Sequence, residues 1–196
     1  MSFDPETVAL YDAKAAEYEL VQSDDSHAPL EAFIEAIPKG GTALDLGCGP
    51  ANAAARMQER GLVVTAIDPS QNMAALAKRK FGVNVTVGSF EDVTEVAEYD
   101  GIWASFSLLH APRADMPRYL AAIHRALKPR GIFYIGMKTG TDAKRDSLGR
   151  MYTYYSETEL HDLLTSAGFT ILRTRTGAGA GLDGVVAPWI TMDAHA

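Results

Sequence analysis

The sequence predicts an α/β fold, a mostly parallel sheet of seven strands with helices on both faces. Three observations predict it. Short apolar runs alternate with amphipathic stretches from residue 42 to the end of the chain. The first apolar run, ALDL (43–46), passes at once into G-C-G and a small-residue helical stretch. The last two runs are joined by GAGAGLDG (177–184), too rich in glycine for a helical crossover, so they are expected to pair antiparallel as a long-looped hairpin.

Two helical patterns come first, 4–20 and 28–37. In the earlier one Tyr11, Ala15 and Tyr18 share a face by spacings of three, four and seven, which suits a lid or brace. Strands are expected over 42–47, 63–68, 84–89, 101–106, 132–138, 169–176 and 187–194. Between them lie helical patterns over 51–60, 70–80, 113–128 and 156–168, with EDVTEVAE (91–98) ambiguous. Ser70 and Ser156 stand where N-caps are needed, Glu159 completing a capping box with the latter, and Gly61 and Gly168 stand where helices should stop. The segment KTGTDAKRDSLGRMYTYYS (138–156) has glycines, charges and tyrosines but no period, and reads as a mobile loop over the site.

A chain of 196 residues suits one domain, 1–196, in which 1–40 carry the lid helices and 41–196 the core. No apolar run reaches the length of a membrane span, and MSFDPETVAL lacks the basic start of a signal peptide. Cys48 is the single cysteine, so no internal disulfide can form and a cytoplasmic location is expected. The formal charge of −7 argues against nucleic acid as the partner. Residues 113–150 are locally basic, nine Lys or Arg against three Asp, which fits a solvated face and helix C-terminal cations.

Gly47 and Gly49 leave a strand and open a helix at the sheet edge where open α/β folds bind ligands. Backbone N–H groups at that helix start offer donors and a partial positive charge. Asp68, 21 residues after Gly47, closes the second strand, where a carboxylate can accept from both hydroxyls of a ribose. Together these describe an adenosine-containing ligand. Asn52 stands where a dinucleotide motif carries its third glycine, leaving room for a ribose and a small zwitterionic tail more readily than for a pyrophosphate.

The chain resembles the class I S-adenosylmethionine-dependent methyltransferases over nearly its whole length. ALDLGCGPA is similar to their glycine motif, VVTAIDPSQNM to the ribose motif, VGSFEDV to the adenine motif, and YDGIWASFSLLH and LKPRGIFYIG to the fourth and fifth strands; YYSETELHDLLTSAGFTILRT resembles the late helix and strand. The resemblance implies a Rossmann-like seven-stranded sheet in the order 3-2-1-4-5-7-6 with the last strand antiparallel. It implies S-adenosylmethionine as cofactor, no metal, no membrane, a small-molecule acceptor, and a monomer or homodimer. By that resemblance Gly47, Cys48 and Gly49 line the methionine and ribose, and Asp45 holds their loop and reaches the amino acid end. Asp68 takes the ribose hydroxyls, Pro69 and Met73 flank the adenine, and Ser89 and Phe90 meet its edge and face. Ser105 and Phe106 close the methionine end, while Tyr11 and Tyr18 cap the pocket. Many members carry an acid where Ser89 stands, so the adenine contact here rests more on backbone and stacking.

Methyl transfer consumes the sulfonium charge rather than building charge, so positioning supplies much of the acceleration. His110, beyond the fourth strand, is the best-placed base for an acceptor that must lose a proton. His124 and His161 lie within helical patterns and read as structural, and Cys48 reads as a small residue between glycines rather than a nucleophile. Lys138, Arg150, Tyr152 and Tyr155 are candidates to recognise an anionic or aromatic acceptor. A catalytically silent cofactor-binding protein and an NAD-dependent oxidoreductase are the alternatives. The acceptor stays open among phenols, carboxylic acids, thiols and metalloid oxyanions.

Overall fold

The computed structural model describes residues 4–20 and 28–196, with the side chains of residues 16 and 18–20 outside the description. The expectation for Tyr18 therefore falls on a side chain outside the described residues. Helix α1 (Pro5–Leu20) and helix α2 (Ala28–Ala36) precede strand β1 (Thr42–Leu46). Then follow α3 (Asn52–Glu59), β2 (Val63–Asp68), α4 (Gln71–Phe81), β3 (Thr86–Val87) and β4 (Tyr99–Ser105). The second half holds α5 (Met116–Ala126), β5 (Leu127–Lys138), β6 (Ala143–Arg145), β7 (Met151–Thr153), α6 (Glu157–Ser166), β8 (Thr170–Ala180) and β9 (Val186–His195). The main sheet runs β3-β2-β1-β4-β5-β9-β8, parallel through β5, with β9 antiparallel to both neighbours. This is the expected order, renumbered because β6 and β7 form a separate two-stranded hairpin.

Apolar runs in the middle strands are buried on both sides. On one face Trp103 stacks on Tyr134 (centroids 3.7 Å apart) in a core shared with α2 and α3. On the other, α5 turns Met116, Tyr119, Leu120 and Ile123 inward at helical spacing, and Phe133 stacks on Phe169 near α6. Burying a side chain such as Leu44, with no exposed surface, contributes roughly 1.5–3 kcal/mol. Among the described residues no helix is long and apolar enough to cross a membrane.

The helix signals read from the sequence act as expected. Ser70 accepts from the Met73 N–H at 3.0 Å, and Ser156 and Glu159 form the reciprocal capping box of α6. Gly61 and Gly168 follow α3 and α6 with φ of +89° and +102°.

Three expectations need correction, and one ambiguity is resolved. Segment 138–156 contains the β6–β7 hairpin rather than an aperiodic loop, held by contacts to α1 far away in sequence. Strand β8 continues to Ala180, so the expected glycine loop shrinks to a turn over 181–185, because pairing with β9 satisfies the backbone whatever the side chains. β3 is only two residues long, at an exposed sheet edge. Residues 91–98 form no helix beyond a 3-10 turn at Phe90–Asp92, having no apolar period to bury.

Candidate functional site

The C-terminal ends of β1, β2, β4 and β5 open on one cleft of about 680 Å³, covered by α1, the β6–β7 hairpin and the tip of the β8–β9 hairpin. Gly47 to Gly49, Asp68, Pro69 and Met73 line one half, with Ser89 and Phe90 beside them. Ser105, Phe106, Tyr11, His110, Lys138, Arg150 and Tyr152 line the other.

The two glycines serve different ends. At Gly47 (φ +73°) a Cβ would stand 2.3 Å from the Ser107 Cβ, whose hydroxyl donates to the Leu46 carbonyl at 2.6 Å, so its bareness is an internal packing need. At Gly49 (φ +52°) a Cβ would meet nothing within 4 Å; the space belongs to the cleft. The N–H groups of the loop itself are occupied within the protein. Gly47 and Cys48 N–H bond the Ile67 carbonyl, and Gly49 N–H bonds Asp68 Oδ2 at 2.7 Å.

Asp68 also accepts from Ser70 N–H at 2.9 Å, so each carboxylate oxygen is braced by one backbone donor and keeps acceptor capacity. Burial pushes its pKa up to about 6. Asp45 accepts from Ala54 N–H at 3.0 Å and so holds the start of α3; burial raises its pKa to about 7. It lines a neighbouring hollow with Asn52, Arg56 and Trp103 rather than the cleft itself. Burial raises the Cys48 thiol pKa, leaving it protonated and a poor nucleophile. The Ser89 hydroxyl donates to Asp92 and accepts from Glu91 N–H, capping its turn, and Phe90 beside it is largely buried.

The far half carries a hydrogen-bonded chain. His110 Nδ1 donates to the Met151 carbonyl at 2.8 Å, which leaves Nε2 as the acceptor for the Tyr11 hydroxyl at 2.9 Å. Arg150 donates to the same hydroxyl at 3.3 Å and is locked by Asp146 through bonds of 2.8 and 2.6 Å. Burial lowers the His110 pKa to about 4, helped by the Arg150 charge, so the imidazole is neutral near pH 7. The near-neutral titration expected from the sequence is thereby corrected. Lys138 Nζ stands 4.5 Å from the Tyr152 ring centroid.

Tyr155 is placed off the cleft, buried with the Arg113 guanidinium 4.3 Å from its ring, so its expected contact with an acceptor is corrected. Sequence reasoning missed Asp146, whose spacing of four from Arg150 was the available signal, and Trp189, which lines the cleft from β9.

The chain matches the model of a methyltransferase domain family over residues 43–131. It is 30% identical over 174 residues to an uncharacterised methyltransferase of Synechocystis sp., covering 79% of this chain and 78% of that protein. Among solved structures, it resembles the Burkholderia thailandensis 1,6-didemethyltoxoflavin-N1-methyltransferase with bound 1,6-didemethyltoxoflavin and S-adenosylhomocysteine (TM-score 0.73, 24% identity, 95% of this chain and 87% of that one). A Methanosarcina mazei S-adenosylmethionine-dependent methyltransferase gives a TM-score of 0.72 at 20% identity, covering 82% of this chain and 94% of that one.

Proposed function

The chain belongs to the class I S-adenosylmethionine-dependent methyltransferases, and we propose that its cleft presents the methyl group of that cofactor to a small-molecule acceptor. The observation that carries the reading is Asp68, braced at the end of β2 beside the open space over Gly49. That arrangement fits the cofactor: a buried carboxylate to accept from two ribose hydroxyls, with Met73 and Phe90 as apolar surface for the adenine. When bound, the cofactor supplies an electrophilic methyl on a sulfonium.

The chain's own task is to orient the acceptor and exclude water. Oriented reactants gain up to about 7–11 kcal/mol over free encounter. Pro69, Cys48, Ser105 and Phe106 shape the wall between the two halves of the cleft. Lys138, Arg150 and Tyr152 face the acceptor, and Tyr11 closes over it from α1. For an acceptor that sheds a proton, the Tyr11 hydroxyl passes its proton to His110 Nε2 and takes the acceptor's in exchange. The weakness of His110 as a base fits a late proton transfer, after methylation has made the acceptor oxygen acidic. The Burkholderia neighbour holds 1,6-didemethyltoxoflavin, and an acceptor of comparable size suits this cleft.

Calorimetric titration with S-adenosylhomocysteine tests the reading. Asp68→Ala is expected to weaken binding by about a hundredfold, through lost ribose bonds and an unbraced glycine loop; undiminished affinity would overturn the assignment. His110→Ala is expected to lower kcat by about 10²–10⁴-fold with a hydroxyl acceptor while sparing cofactor affinity. Unchanged turnover would remove His110 from the chemistry.

A further inference from the structure

Gly177 lies inside β8, where glycine weakens a strand unless something needs the missing side chain. Trp189 needs it. The two are register partners across the β8–β9 pair, and a Cβ on Gly177 would stand 2.3 Å from Trp189 Cζ2 and 2.8 Å from Cε2. A Cβ on Gly179 would lie 3.6 Å from Nε1. The indole is therefore packed on the bare backbone of β8, and it lines both the cleft and the neighbouring hollow.

On its other side Trp189 pairs in register with Lys138 of β5. Gly181 keeps this ammonium clear: a Cβ there would come within 3.2 Å of Nζ. Lys138 makes no ion pair among the described residues. Of the neighbouring charges, Arg150 is paired with Asp146 and Asp4 with Arg145, while Asp183 at the hairpin tip accepts from Val185 N–H at 3.2 Å and is the carboxylate nearest this ammonium, its Oδ1 2.9 Å from the same Cβ position on Gly181. The acceptor half of the cleft thus presents, among the described residues, an ammonium without an ion pair, held over the Tyr152 ring and beside the partly exposed Trp189 indole, with the 39%-exposed Phe106 adding apolar surface.

We propose that the acceptor is a planar aromatic acid, its ring lying on the Trp189 indole and its anionic group meeting Lys138. This rests on the methyltransferase reading above. Ring stacking and a charge-assisted hydrogen bond each add discrimination that a neutral or saturated acceptor forgoes.

The test titrates protein saturated with S-adenosylhomocysteine with 4-hydroxybenzoate, 4-hydroxybenzamide and 4-hydroxycyclohexanecarboxylate, followed by calorimetry and tryptophan fluorescence. The other tryptophan, Trp103, is buried against Tyr134, so quenching reports Trp189. The aromatic acid is expected to bind at least about tenfold tighter than either comparator. Lys138→Met should erase its advantage over the amide. Trp189→Leu, and Gly177→Ala by displacing the indole, should erase its advantage over the saturated acid. All three variants should keep their affinity for S-adenosylhomocysteine within about twofold, which also shows that they fold. Equal binding of the three probes, no binding of the acid, or variants that retain both preferences would overturn the inference while leaving the methyltransferase reading intact. Failure of the native chain to bind S-adenosylhomocysteine would overturn both.

Discussion

Burial sets the charge state of the acids around the cleft, and this has measurable consequences at single residues. Asp45 is 3% exposed, has one backbone donor and is pushed up to about 7, with the nearby Asp68 charge adding to the effect of burial. A carboxyl whose pKa is higher folded than unfolded contributes stability in full below its unfolded value, about 3.9, and that stability is lost as pH rises through the folded value. For Asp45 the window is therefore about pH 4 to 7, and above it the unliganded protein carries a cost of roughly 2–4 kcal/mol. Asp45→Asn keeps an oxygen for the Ala54 N–H and removes the charge. Its melting temperature is expected to match the native one near pH 4 and to exceed it by roughly 5 °C or more at pH 8, measured by calorimetry without ligand. A constant difference across that range would mean that Asp45 is ionised throughout. Asp68, at about 6, predicts a second effect on binding: affinity for S-adenosylhomocysteine should fall as pH drops through about 6, because protonation turns an acceptor oxygen into a donor. Asp68→Asn should show a smaller fall.

At the scale of elements, α1 and the β6–β7 hairpin act as one cover because they are sewn together. Thr7 Oγ1 accepts from Met151 N–H at 2.8 Å and donates to Asp4, and Arg145 reaches Asp4 through bonds of 2.8 and 2.9 Å. The Arg145 bonds hold the Asp4 pKa down to about 2, so this clasp persists through ordinary pH and is lost only as pH falls towards that value. Thr7→Val leaves the Met151 N–H without its partner, at a cost of about 1–3 kcal/mol. Faster hydrogen exchange in both α1 and β7, together with faster dissociation of S-adenosylhomocysteine, is expected; exchange confined to α1 would show that the two elements open independently. None of this stitching was legible in the sequence. Segment 138–156 has no alternation, and its partners lie more than a hundred residues away, whereas α4 and α6 announced themselves through caps within three residues of their starts. Two of the three residues of the face read on α1 were legible: Ala15 is buried and Tyr11 packs with it against Met73 and Leu76.

At the scale of the molecule, the parallel strands deliver their C-terminal ends to one side, and the cleft is built there from two halves of unlike legibility. The β1–β2 half is written in short motifs, Gly47 to Gly49 and Asp68, whose geometry needs only a strand, a turn and a neighbouring strand. The other half is assembled from α1, β7, β5 and the β8–β9 hairpin, so Trp189, Asp146 and the displacement of Tyr155 follow from packing that no local pattern encodes. A ligand spanning both halves holds the folded state by mass action, contributing about 2.7 kcal/mol at a hundred times its dissociation constant. For a chain of this size that corresponds to a rise in melting temperature of roughly 5–10 °C. S-adenosylhomocysteine is expected to produce that rise in the native protein and to lose it in Asp68→Ala, while NADH at the same concentration leaves the melting temperature unmoved. The contrast follows from Asn52, which starts α3 where a pyrophosphate site needs glycine. An equal rise with NADH would mean that the space above Gly49 accepts a pyrophosphate after all, and the assignment of the cleft to a nucleoside thioether would fall with it.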